Sequence, residues 1–404
     1  MSEQTIRVLY GEAVYGREEA DAVARVIADQ PHQLMVGPQV AAFEDAVATL
    51  FGKAHGVMTN SGSSANLIAV AVAGLPRGSQ VVTPALTFST TVAPLVQHGL
   101  VPAFVDVEPD TFNIDVDQIE SIIGPKTRAI MVPNLIGNLS DWARIADIAT
   151  RHDLRTIEDS CDTIGATLRG GPTGAHSHVT TTSFYGSHVI TAGGFGGMLM
   201  TSVPAIADRA RLLRGWGRSS SLLGEVEDCN VRFESVVDGV DYDAKYEFSG
   251  IGYNFLPSEI GAAFGLQQLH RLAEFKRRRI ANHARLTAFL GRWEQWFTLP
   301  RQLDEVSTPW LAFPFIVRDD APFTRRDLQR YLEGEGIQTR VIFSGNILRQ
   351  PGFRGIERVE HPGGFPNADR VMRGGILIGC HQGLQDFHLD YVEDAFTRFA
   401  RTFE

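Results

Sequence analysis

An α/β architecture is predicted, with a mostly parallel central sheet, helices on both of its faces and a smaller C-terminal α/β domain. Three observations predict it. Short apolar strands alternate with helical stretches between His55 and Thr201, the pattern of parallel strands joined by crossover helices. A long helical segment then runs from about Pro257 to Leu290 or beyond, and the last hundred residues repeat strand and helix on a smaller scale. The composition is that of a globular enzyme: 404 residues, 44% hydrophobic and 21% charged. The expected division is a large domain over 1–255 with a mixed N-terminal lead-in, and a connecting helix with a small domain over 256–404.

Taken in order, Arg17–Ala28 reads as an amphipathic helix. Pro38–Phe51 reads as another, with Val40, Phe43, Val47 and Leu50 at helical spacing. HGVMT then gives a strand, and a Ser/Gly turn opens a long apolar helix. SQVVTP, VPAFVDV, TRAIMVPNL, LRTIED, TTTSFY and GGMLMT are the strands that follow. Residues 216–245 are polar and irregular. WLAFPFIV, a helix near Arg325–Glu335, QTRVIF and a final helix build the C-terminal part.

The bulk numbers also exclude. A net charge of −10 leaves no basic surplus for nucleic acid. Three cysteines are too few for a disulfide framework. No apolar run reaches the ~20 residues of a membrane span, and the N-terminal residues lack a signal-peptide core. A cytoplasmic chain is expected.

Four segments carry chemistry. Asn60-Ser61-Gly62-Ser63-Ser64 opens a helix directly after a strand, which presents backbone N–H groups and hydroxyls at a positive helix end. That is a phosphate cradle, or an ordinary N-cap of small residues. Phe88 follows another strand, either as a face for a flat ring or as core. Glu158-Asp159 ends a buried strand with acids, where a carboxylate pairs with a ligand nitrogen or caps a helix. Thr182-Ser183-Phe184-Tyr185-Gly186-Ser187-His188 runs from strand to loop and into a glycine-rich turn, with Phe184 and Tyr185 as core or pocket lining. In aminotransferases of fold type I such a loop carries the lysine that binds pyridoxal phosphate (PLP) as a Schiff base. Here the position holds His188, which moves a proton but forms no stable imine. The chain has only Lys53, Lys126, Lys245 and Lys276, and none follows a buried strand beside a glycine turn.

These segments, in this order, resemble the DegT/DnrJ/EryC1/StrS family of enzymes on nucleotide-linked keto-sugars. NSGSSAN, FSTT, EDSCD, SFYGSHVIT, YEFSGIGYNFLPSEIGAAFGLQQL and VIFSGNILRQP all match, over nearly the whole chain. The last segment and the histidine are similar to the sugar 3-dehydratase branch. The resemblance implies that Ser61, Gly62, Ser63 and Ser183 hold the cofactor phosphate. It implies Phe88 stacked on the ring, Asp159 on the pyridine nitrogen and His188 as catalytic base. Asn254 would reach the phosphate of a partner subunit, which makes a homodimer with shared sites the active unit. The cofactor would be pyridoxamine phosphate (PMP), interconverting with PLP. The substrate would be a nucleotide-linked 4-keto-6-deoxyhexose that loses its C3 hydroxyl, with glutamate or a similar amino donor regenerating PMP. The turn GGFGGM departs from the GEGG common in the branch, so the pocket floor is expected to differ.

One set of these dehydratases holds a [2Fe–2S] cluster through four cysteines, whose spacing falls here on Cys161, Ser219, Ser221 and Cys229. A serine hydroxyl is a poor iron ligand beside a thiolate. No iron–sulfur cluster is therefore expected. Three other readings remain open at this point: an externally reduced dehydratase, an aminotransferase-like enzyme, and a non-catalytic binding protein.

Overall fold

The computed structural model describes residues 6–29, 34–222 and 228–403. Its central sheet has eight strands in the order His55–Thr59, Gly197–Thr201, Val179–Ser183, Arg155–Asp159, Thr127–Pro133, Gln80–Pro84, Val101–Val105 and Val359–Glu360. All run parallel except Gly197–Thr201, which is antiparallel to both of its neighbours. The mostly parallel sheet expected from the alternation is present, with this one reversal. The reason is local: a loop without a helix joins Val179–Ser183 to Gly197–Thr201, and a parallel return needs a crossover.

Helices cover the sheet. Gly62–Val72 and Pro204–Arg214 pack Ile68, Ala69, Ala207 and Ala210 against Val57, Met131 and Leu199. On the other side Trp142, Ile145 and Ile148 of the helix Trp142–Arg151 pack against Val82, Ile130 and Val132. A second sheet of four strands lies in the C-terminal part, in the order Phe297–Thr298, Phe313–Val317, Gly375–Ile378 and Thr339–Arg340. The connecting helix is continuous over Glu259–Leu290, capped by the Ser258 hydroxyl on the Gly261 N–H.

The expected division at 255/256 is crossed in two ways. Val359–Glu360 joins the large sheet beside Val101–Val105, and Val8, Leu86 and Phe104 share one core with Phe313, Phe315 and Phe396. Residues 216–245 are not featureless: a hairpin pairs Ser235–Val237 with Val240–Tyr242. Its side chains are mostly exposed, so no burial period marks it in the sequence. No helix among the described residues is long and apolar enough to cross a membrane.

Candidate active site

Parallel strands bring their carboxyl ends to one edge, and ligand crevices form there. Ser61, Pro133, Asp159 and Ser183 all lie at such ends. The reversed strand starts at the same edge, which places Gly196 beside Ser61. A cavity of about 390 Å³ opens between them. Ser61, Gly62, Ser63, Phe88, Asp159, Ser183 and His188 all line it. Seven of the eight sequence-derived positions thus converge. The eighth, Asn254, is exposed and outside this cavity, with its backbone paired to Gly215.

The helix Gly62–Val72 points its N-terminus into the cavity. Ser61 is its N-cap, accepting from the Ser64 N–H at 3.1 Å. The capping reading of this segment is therefore correct, and it leaves the N–H groups of the first turn directed outward. Gly62 has no room for a side chain: a Cβ would lie 2.6 Å from Ser183 Cβ and 3.0 Å from Cys161 Sγ.

Asp159 is anchored on three sides. Asn66 and Thr91 each donate to its Oδ2 at 2.8 Å, and the Cys161 N–H reaches Oδ1 at 3.3 Å. Thr181 in turn donates to Asn66 at 2.6 Å. The buried carboxylate is held in one orientation by neutral donors and has no basic partner among them. Asp162, also lining the cavity, accepts from the Ile136 N–H at 2.9 Å. Burial first, then the Asp159 charge, pushes its carboxyl up to about 7.

His188 sits in the loop between the last parallel strand and the reversed one. Its backbone N–H donates to Tyr185 O at 2.9 Å, and its side-chain Nδ1 is buried without a hydrogen-bond partner. Burial is the main force that lowers the imidazole to about 4, keeping it neutral. Gly193, Gly194 and Gly196 have φ of 72°, 100° and 118°. This glycine run lets the chain double back after His188. Phe88 is half exposed and meets Phe343 edge-on at 5.8 Å. No lysine lines the cavity among the described residues. Lys53 donates instead to Ser177 O, and Lys276 to Gly165 O at 2.8 Å.

Cys161 lines the cavity, Ser219 and Ser221 lie in the turn Ser219–Leu222, and Cys229 is exposed. Sequence reasoning assigned no role to Asn66, Thr91, Thr181, Asn134 or Phe343. Asn66 and Thr91 lie within the quoted NSGSSAN and FSTT segments, so their place in the motif was the available signal. Phe343 likewise lies within the quoted VIFSGNILRQP segment; Asn134, which also lines the cavity, carried no such signal.

A model of the DegT/DnrJ/EryC1/StrS aminotransferase family matches residues 15–397. A dTDP-4-dehydro-2,6-dideoxy-D-glucose 3-dehydratase of Saccharopolyspora spinosa is 37% identical over 398 residues, covering 95% of this chain and 84% of that protein. The Escherichia coli GDP-4-keto-6-deoxy-D-mannose-3-dehydratase, solved with bound hydrated PLP, superposes with a TM-score of 0.86 at 26% identity, over 97% of this chain and 100% of that one. A GDP-4-keto-6-deoxymannose-3-dehydratase solved with a trapped PLP–glutamate geminal diamine has a TM-score of 0.85 at 26% identity, over 96% and 99%.

Proposed function

The chain belongs to the DegT/DnrJ/EryC1/StrS aminotransferase family, and we propose that it is a PLP/PMP-dependent dehydratase that removes the C3 hydroxyl of a nucleotide-linked 4-keto-6-deoxyhexose. One observation carries the reading: a histidine, not a lysine, stands in the cavity loop. The 3-dehydratase names of its relatives support it.

The residues fit the cofactor. The N-terminus of Gly62–Val72 with the Ser61, Ser63 and Ser183 hydroxyls suits a phosphate. Asp159, oriented by Asn66 and Thr91, suits a protonated ring nitrogen. Phe88 offers a ring face, and His188 leaves Nδ1 unpartnered. When bound, the cofactor supplies an electron sink conjugated to the sugar. His188 then accepts a proton at an imidazole nitrogen, which its neutral state permits. It offers no amine to tether the cofactor, so the phosphate and ring contacts alone retain it. Glutamate as amino donor draws support from the related enzyme solved with a PLP–glutamate species. Ser219 and Ser221 in place of thiolates favour turnover without an iron–sulfur cluster.

A homodimer is part of the proposal. Val236, Val240, Tyr242, Phe248 and Ile251 are exposed near Asn254 in the sequence, with Ile251 at 96%. Such apolar exposure suits burial against a second copy.

The test is incubation with glutamate and a panel of nucleotide-linked 4-keto sugars, followed by mass spectrometry of the product. A product lacking the C3 oxygen and carrying no amino group is expected. A product with a new amino group at C4 and its C3 hydroxyl retained would make the protein an aminotransferase.

A further inference from the structure

Behind the cavity lies a buried cation that the proposed chemistry does not use. Arg279, on the inner face of the helix Glu259–Leu290, has no solvent exposure. Its Nε donates to Gln382 Oε1 at 2.5 Å, and its Nη1 donates to the carbonyls of Trp310 and Leu311 at 2.8 and 2.9 Å. Its Nη2 is buried without a partner. The ionisable groups that act on it are Cys380 and Tyr10, neither of them a carboxylate. A guanidinium buried without a counter-charge is costly. An apolar side chain would fill the space with less penalty, so what the fork holds together needs explaining.

It holds two segments that each reach the cavity. Gln382, fixed by Arg279, donates from Nε2 to Val189 O at 3.3 Å, the carbonyl next to His188 in sequence. The Leu311 N–H donates to Ile136 O at 2.8 Å, and the Ile136 N–H donates to Asp162 Oδ2. Ile136 has φ of 62°, a left-handed conformation unfavourable for a β-branched residue. The contacts on both sides of that peptide hold it there.

We propose that Arg279 and Gln382 form a positioning clamp for the proposed base, fixing the His188 loop from behind through Val189. Neither residue lines the cavity. The inference rests on His188 as the base. The charged groups that act on that imidazole are Asp159, the last residue of its strand, and Arg279 from the connecting helix. The backbones of Cys161 and Ser183 favour its protonated form, Tyr185 meets it edge-on in its own loop, and Asp162 lines the same cavity. Arg279 therefore has a second effect, because its charge opposes protonation of His188.

Two variants test the clamp. Gln382→Leu removes both hydrogen bonds. Gln382→Glu keeps the acceptor for Arg279 and loses the donor to Val189. Both should keep the parent thermal midpoint within a few degrees. Both should lower kcat by roughly 10- to 100-fold at unchanged KM for the sugar, the scale of a small misplacement of a reacting group. The second readout is the His188 imidazole resonance in the cofactor-free protein, assigned by its loss in His188→Asn. Its chemical shift should move in both variants, and its titration midpoint should rise in Gln382→Glu, where a carboxylate offsets Arg279. Parent kcat with an unmoved His188 resonance in both variants would overturn the clamp. A parent rate in His188→Asn would instead overturn the base itself, a different result from a different protein.

Discussion

The exchange of one basic side chain for another sets the chemistry open to this cavity. His188→Asn removes the proposed proton acceptor while keeping a polar group of similar size. Cofactor binding should persist and dehydration should fall by roughly 10²–10⁴-fold, the usual worth of a general base. A parent rate by product assay would mean that another group takes the proton. His188→Lys, at the same backbone position, should give a protein-bound cofactor after borohydride reduction and lose dehydration. Burial disfavours the ammonium form of that lysine, which promotes reaction with the cofactor aldehyde. Intact mass decides that outcome. A different histidine contributes to acid stability. His283 is stacked on Trp310 at 4.2 Å with its Nε2 unpartnered, and burial lowers it from 6.5 to about 3. The unfolded chain takes this proton near pH 6.5 and the fold resists it down to about pH 3. Stability from this site is therefore complete above pH 6.5 and declines as pH falls. His283→Phe keeps a ring against Trp310 and removes the titration. Its urea midpoint should fall less steeply than the parent's between pH 6.5 and about 5; equal slopes would reject the assignment.

At the next level the working part is the junction of strand and helix at Thr59–Gly62. The helix Gly62–Val72 is strongly apolar and packs its length into the core. Its direction is therefore fixed, and its N-terminus faces the cavity whether or not a ligand is bound. The approach of other backbone keeps the junction small. A Cβ at Gly197 would lie 2.3 Å from the Ser61 carbonyl carbon, and one at Gly62 would lie 2.6 Å from Ser183 Cβ. Gly62→Ala should force these strands apart at a cost of about 1–3 kcal/mol. If the junction holds the phosphate, affinity for PLP should weaken by roughly 10- to 100-fold, as each ~1.4 kcal/mol is tenfold. An absorbance titration of the cofactor measures it. Parent affinity in Gly62→Ala would reject this helix end as the phosphate site.

For the molecule as a whole, the open question is whether one chain makes one site. Asn254 lies outside the cavity of its own chain. If it serves a second copy, defects in His188 and Asn254 should complement. Homodimers of His188→Asn and of Asn254→Ala should both be impaired. A mixed dimer has one site with a native His188 and a native Asn254 from the partner. Co-purified mixed dimers, carrying two different affinity tags, should regain up to about half of the parent rate, one intact site of two. No recovery above the better homodimer would show that Asn254 acts within its own chain or not at all.

Much of this was readable from the chain alone because the informative features are local. A strand followed by a Ser/Gly turn and an apolar helix announces its own geometry, which marked Ser61, Gly62 and Ser63 as a cradle or a cap; the roles of Asp159, Ser183 and His188 came from the resemblance of their segments to the family. Periodicity gave the helices and the alternating layers for the same reason, since burial repeats every 3.6 residues or every two. Long-range features were not readable. Asp159 is oriented by Asn66 and Thr91, 93 and 68 residues away. Gln382 reaches Val189 across 193 residues, and Arg279 reaches Gln382 across 103. In the sequence Arg279 is one of four consecutive basic residues in KRRR, and a charge run on a helix is ordinarily a solvated face. Its burial follows from how the connecting helix packs against the segments at Trp310 and Gln382. Partners so far apart leave no periodic trace, because each side chain's neighbours are set by strand order and helix packing. The same holds for Val359–Glu360, a two-residue strand too short to signal itself, which becomes the sheet's edge because the chain there runs beside Val101–Val105.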